Sequence, residues 1–339
     1  MIHDEPMYQM IADEDEIKWF FENVVQKPMI NESYAAVFVA RFKKLSDEER
    51  AEVGVAKREA EFMATQTFRV KKIHDLKGLV EDDGWTFENF MKHLYRFNVD
   101  KMAYTTSGGY PLPEKCLAVI FYVNPCDEIK VADEVVQKLN DTKTAIVKAM
   151  LNGKDLSSNL QSYQAFSNIE SNVKHARAHC KGSVYWLDFD IDVPAWFKHT
   201  DIGIVPPEQY FEAMKRVFDV HYGRGNYLII DTSGGYHVLV RTAAIKSNPH
   251  NVCNAVYEVY RRGCLDGNPE YRNEEGMEKF ECIVNDSQIP GIPMPGTYQY
   301  GRPVRIINKE DFNPNFVNKA AKSYFNTLYN IMSTKPTTT

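Results

Sequence analysis

The order of elements between residues 183 and 286 constrains this chain most. An apolar strand, Val184–Asp190, leads through a loop into a helix entered at Pro206-Pro207 and closing near Gly223. A second strand, Tyr227–Asp231, turns tightly at Thr232-Ser233-Gly234-Gly235 into a third, Tyr236–Arg241. A helix from about Pro249 to Arg262 and a last strand, Lys279–Val284, complete β-α-β-β-α-β, the split βαβ or ferredoxin-like unit. In that topology the first and third strands are antiparallel neighbours, and the fourth flanks the first. The end of strand one therefore faces the starts of strands three and four.

Strand one runs out in Trp186-Leu187-Asp188-Phe189-Asp190-Ile191-Asp192. Side chains alternate across a strand, so Asp188, Asp190 and Asp192 project from one face. Three like charges there repel, and a divalent cation, which takes carboxylate oxygens as ligands, reverses the penalty. Strand three begins Gly235-Tyr236-His237 behind Ser233 and Gly234. Glycines let a backbone approach an anion, exposed amides cradle phosphate oxygens, and His237 adds a donor. Ser107-Gly108-Gly109-Tyr110 repeats those letters without a histidine, so the string alone is weak. Strand four carries Glu281 near its start and Asp286 after its end, and a third carboxylate is wanted beside the aspartates. Topology favours Glu281; the shorter, more rigid side chain keeps Asp286 open.

Residues 1–112 read as mainly helical, with a strand within Ser33–Phe42, a capping box at Ser46-Asp47-Glu48-Glu49 and a helix opening at Thr86. Cys116–Val123 reads as a strong strand, and Asp127 caps a helix running to about Gly153. Residues 155–170 look like a connector, and 311–339 like a short helical tail with a polar end. A net charge of −6 argues against gripping nucleic acid through bulk positive charge. Local basic clusters remain: Arg41 with Lys43 and Lys44, Lys71 with Lys72, Lys174 with Arg177 and Lys181, and Arg302 with Arg305. No run of about 18 apolar residues exists to span a membrane. The first residues lack the pattern of a signal peptide, and six scattered cysteines read as reduced thiols, so a cytoplasmic protein is expected.

In this order and on this topology, Asp188-Phe189-Asp190, Gly235-Tyr236-His237 and Phe280-Glu281 resemble the three motifs of the archaeo-eukaryotic primase superfamily. Pro295-Gly296-Thr297 followed by Arg302-Pro303-Val304-Arg305 is similar to the segment after the third motif in phage and plasmid primase-polymerases. Trp19-Phe20-Phe21, Ala40-Arg41-Phe42-Lys43 and Val123-Asn124-Pro125 are also similar to that branch. Two departures stand out: Glu281 replaces the usual aspartate, and Pro290 and Pro293 stand where arginines are common. The resemblance implies an α+β fold with a catalytic core over 113–310, its ferredoxin- or RRM-like unit at about 183–286, behind a largely helical N-terminal region. It implies nucleotidyl transfer from NTP or dNTP on a single-stranded DNA template with two Mg²⁺ or Mn²⁺ ions. Asp188 and Asp190 would bridge the ions, Glu281 or Asp286 would complete the shell, and Asp192 would be a ligand or its partner. His237, Ser233, Gly234 and Gly235 would hold the triphosphate, with Lys181, Arg241 and Arg302 as candidate bases. No Gly-x-x-x-x-Gly-Lys-Ser/Thr sequence is present, so a replicative helicase would be a separate chain.

Three other readings compete. Asp190-Ile191-Asp192-Val193 resembles the nucleophile motif of haloacid-dehalogenase-type phosphatases, which need a parallel doubly wound sheet. A non-catalytic RRM-like binder would stack bases on its open sheet, and three carboxylates there would repel a phosphate backbone. His175, His179, Cys180, His250 and Cys253 suggest a structural zinc, but their spacing fits no four-ligand site, so none is expected.

Overall fold

A computed structural model describes residues 8–53, 62–69, 71–74, 80–83, 85–98, 104–105, 109–153, 169–193, 207–267, 281–286 and 288–314. Seven α-helices are described: α1 (Glu14–Asn23), α2 (Asp47–Glu52), α3 (Phe87–Leu94), α4 (Glu128–Leu151), α5 (Ile169–His179), α6 (Pro207–Tyr222) and α7 (Pro249–Gly267). The strands of the first half are β1 (Glu32–Ala40), β2 (Phe62–Arg69), β3 (Lys71–His74), β4 (Val80–Asp83), β5 (Leu117–Tyr122) and β6 (Cys126–Asp127). Those of the second half are β7 (Trp186–Asp192), β8 (Tyr227–Asp231), β9 (Gly235–Arg241), β10 (Glu281–Asn285), β11 (Gly291–Pro293), β12 (Tyr298–Gln299), β13 (Arg302–Pro303) and β14 (Arg305–Ile306). The fold is α+β, and every described strand pair is antiparallel.

One sheet runs β13-β12-β5-β1-β2, with β11 on β5 and β6 on β1; the other runs β10-β7-β9-β8-β14. In the second sheet β7-α6-β8-β9-α7-β10 follow the ferredoxin-like connectivity, with β7 and β9 in the middle as the sequence predicts. Strand alternation divides its core. Leu187, Phe189 and Ile191 pack under α6 and α7 with Met214, Phe218, Val252 and Val256. Trp186, Leu228, Ile230 and Leu239 face the opposite way and share a core with β1, β5 and α1. The aspartates of β7 lie on this second face, toward the first sheet.

The expectation of a largely helical N-terminal region is corrected. α1, α2 and α3 are present, the last two capped by Ser46 and Thr86. The region's centre, however, is β1, paired to β5 on one side and β2 on the other and buried at every position. Its sequence, Glu-Ser-Tyr-Ala-Ala-Val-Phe-Val-Ala, combines β-branched and aromatic residues with small ones, which suits a strand covered on both faces. The sheet thereby crosses the boundary expected at residue 112. A short 3₁₀ turn at Lys309–Asp311 begins the expected tail, whose residues beyond 314 lie outside the described set, as do residues 155–168 of the connector, whose last two residues begin α5.

Two contacts lock the halves together. Asn124 is almost fully buried, accepts from the amides of Tyr185 and Trp186 at 2.8 and 3.0 Å, and donates to the Trp186 carbonyl at 2.7 Å. The turn Pro295-Gly296-Thr297 sits against the start of α1: the Gly296 carbonyl accepts from Ala12 and Asp13. With φ +81° and space for a β-carbon only 2.4 Å from Ile17 Cγ1, position 296 admits glycine alone.

Candidate active site

β7 presents its three aspartates to two different neighbours. Asp188 lies between Leu239 of β9 and Asn285 of β10, Asp190 between His237 and Ile283, and Asp192 between Gly235 and Glu281. Directly opposed residues share a face of the sheet, so one surface carries all eight side chains and the bare Cα of Gly235.

Asp188 has no exposed surface. Nδ1 of His237 stands 3.1 Å from both of its carboxylate oxygens, and Nδ2 of Asn285 donates to Oδ2 at 2.9 Å. His237 is itself buried, with Nε2 3.5 Å from Asp190 Oδ1. Burial resists charging of the imidazole, but the Asp188 and Asp190 carboxylates outweigh it and raise the pKa to about 9. At neutral pH both ring nitrogens are then donors. Burial pushes the half-buried Asp190 carboxyl up from its ordinary value, with His237 and then the Asp188 charge acting in opposite senses. Asp192 and Glu281 are exposed at the mouth of the strands.

The Ser233-Gly234-Gly235 turn abuts this surface. The Thr232 amide and hydroxyl both donate to the Gly235 carbonyl, at 3.1 and 3.0 Å, and the Gly234 carbonyl takes the Val193 amide at 3.0 Å. A β-carbon on Gly235 would stand 1.8 Å from the Ile191 carbonyl oxygen, so close approach of β7 requires glycine there. Buried Gln299 accepts the Ser233 amide at 2.8 Å. Gln299 pairs across a two-residue turn with Arg302, and Arg305 lies opposite Asp231, the last residue of β8. Tyr300 and Gly301 make that turn with φ +54° and +78°, as in the type I′ hairpin.

Not every candidate converges. Arg302 is exposed beside the glycine turn, whereas Arg305, also exposed, shares the opposite face of its sheet with Asp231 and Tyr236. Arg241 is on the right face at the wrong end: it opposes Trp186, four residues and roughly 13 Å along the strand from His237. There it donates to the carbonyls of Gly225 and Asn313 and covers the Phe312 ring at 4.2 Å. Lys181 donates to the Asp286 carbonyl and lines a pocket of about 30 Å³ with Asn124, Trp186 and Asn285. Burial pushes its pKa down. Asp286 follows Asn285 and turns away from Asp188; its carboxylate is 3.8 Å from His250 Nε2. Glu281 joins Asp192 rather than Asp188.

Sequence reasoning passed over Asn285 and Gln299 and gave Arg41 no role at the site, counting it in a basic cluster and in the Ala40-Arg41-Phe42-Lys43 similarity. Arg41 follows the end of β1 and lowers the Asp190 pKa through its charge. Lys44, three residues on, has its ammonium 4.9 Å from the Tyr300 ring centre. A basic rim of Arg41, Lys44 and Arg302 thus borders the acidic strand end and the glycine turn.

No protein-family model, curated protein or solved structure matches this chain. Hard carboxylate oxygens at Asp190 and Asp192 suit Mg²⁺ or Mn²⁺. Among the described residues, however, no three His, Cys, Asp or Glu side chains are grouped to hold a metal ion. His175 and His179 lie ring to ring at 4.5 Å, while Cys253 and Cys282 are free thiols hydrogen-bonded to each other. No described helix is long and apolar enough to cross a membrane. The antiparallel sheet differs from the parallel one a haloacid-dehalogenase-type phosphatase needs. The aspartate-bearing face is partly occupied by the shared core, so among the described residues it is not open along its full length.

Proposed function

We propose that the chain is a DNA primase-polymerase of the archaeo-eukaryotic primase kind. It would join nucleotides from NTP or dNTP on a single-stranded DNA template, in phage- or plasmid-type replication, within the cytoplasm and beside a separate helicase. The observation carrying this reading is the contact of Asp188, Asp190 and His237 on one sheet face next to the Ser233–Gly235 turn. Bound Mg²⁺ or Mn²⁺ would acidify the attacking hydroxyl and neutralise the leaving pyrophosphate. Asp190 and Asp192 offer the oxygens that face outward to such ions. Asp188, enclosed by His237 and Asn285, fixes the imidazole, so that Nε2 points toward Asp190 and the cleft. The imidazolium, the Ser233–Gly235 turn and the nearby Arg302 would supply donors and charge to a triphosphate. Arg41 and Lys44 extend the same positive rim, giving a locally basic path on a chain of net charge −6.

A gel assay tests this, with labelled nucleotides, Mn²⁺ or Mg²⁺ and single-stranded template, unprimed or primed. Products from unprimed template that disappear in the Asp188→Ala/Asp190→Ala double variant support a primase. Extension of primed template alone reduces the reading to a polymerase. No incorporation in either case overturns it.

A further inference from the structure

Strand β10 delivers an amide where a carboxylate was expected. Asn285 stands directly across from Asp188 and donates to its Oδ2 at 2.9 Å, while His237 occupies the carboxylate from the other side. The two nearby acids are elsewhere, Glu281 exposed across from Asp192 and Asp286 toward Lys181 and His250. A carboxylate in place of Asn285 would set two like charges at hydrogen-bond distance around a group with no exposed surface. The amide gives that group a donor instead, and the cleft holds one negative charge fewer.

We propose, resting on the primase-polymerase reading, that Asn285 is a positioning residue standing in the third carboxylate's place. Its amide orients Asp188, and through it His237. The missing charge makes cation binding to the free protein weak, so the nucleotide's own phosphates complete the shell. Divalent metal and triphosphate therefore bind together rather than in sequence.

The test is calorimetric titration of the full chain with Mn²⁺, with and without a non-hydrolysable nucleoside triphosphate, alongside thermal melting. Wild type is expected to bind Mn²⁺ at least roughly tenfold more tightly with the triphosphate present, and Asn285→Asp to gain roughly tenfold without it. Asn285→Asp should also melt lower than wild type when metal-free and recover on adding Mn²⁺. Asp286→Asn should match wild type in both readouts. Should Asn285→Asp fail to fold, Asn285→Ala carries the test: its affinity for Mn²⁺ with triphosphate should fall about tenfold, with Asp188 no longer held. Unchanged Mn²⁺ affinity in these variants, or tight Mn²⁺ binding by wild type without nucleotide, overturns the proposal. Template-directed incorporation by wild type is scored separately. Its absence alongside the expected titrations removes the enzymatic reading only; its presence with unaltered titrations removes only the role of Asn285.

Discussion

The β7–β9 pair carries two ends of opposite character on the same face. At one end Trp186 opposes Arg241, and every group is engaged. The Trp186 indole donates to the Val24 carbonyl at 3.0 Å, and the guanidinium spans two carbonyls and an aromatic ring. Burial pushes the Arg241 pKa down to about 10, so the guanidinium stays ionised at neutral pH. At the other end Asp190 opposes His237 and Asp192 opposes Gly235, with a further carboxylate, Glu281, beside them. Here charges of one sign accumulate beyond what the imidazole can offset. Folding alone accounts for the first end; at the second, His237 and Arg41 offset the acids only in part, and the Asp190 carboxyl is left with a raised pKa. The difference teaches that buried polarity is informative chiefly where its charge balance is left open.

Gly235→Ala should break the acidic end most severely. The new β-carbon would meet the Ile191 carbonyl oxygen at 1.8 Å, and backbone on both strands would have to part. A loss of about 4 kcal/mol or more is expected, read by circular-dichroism melting or by loss of soluble protein. A melt equal to wild type would mean that the strands are not paired as described. Asp190→Asn separates chemistry from folding at the same end. Because Asp190 is only half-buried, its melting temperature should stay near the wild-type value. Incorporation should fall about 1,000-fold, about 4 kcal/mol of barrier. Parallel loss of melting and activity would make this end structural as well and erase the contrast.

How much of this was legible in sequence depended on the distance between interacting segments. The ferredoxin-like order was visible because each element carries its own period and turn residues, and the Ser46 and Asp127 caps are local. That β1 pairs with β5, and that β11 and β12 return to β5's edge from the chain's far end with β13 outside β12, is a long-range matter no local pattern encodes. Within the site, the meeting of Asp190 with His237 followed from topology. The third position did not, because it depends on register. Which of Glu281, Asn285 or Asp286 meets Asp188 is settled by strand pairing, and a slip of one residue exchanges faces. Arg241 failed for a related reason, since alternation gives the face but not the end.

Removing the Arg241 charge probes the apolar end. Arg241→Met keeps the stem but leaves the Gly225 and Asn313 carbonyls without this donor. About 2–3 kcal/mol of stability should be lost, with KM and kcat of the folded protein unchanged. A raised KM for nucleotide at intact stability would instead return Arg241 to the triphosphate and collapse the distinction between the ends. The smallest change is Phe312→Leu. It retains most apolar volume in the shared core but removes the ring that the guanidinium covers at 4.2 Å. The cation–π contribution at a desolvated site predicts a loss of about 1 kcal/mol. That loss should vanish in the Arg241→Met background, where no charge remains to face the ring. A double-mutant cycle by denaturant unfolding reads this coupling directly. A coupling of zero would assign the Phe312 effect to packing alone and leave the backbone carbonyls as what holds Arg241.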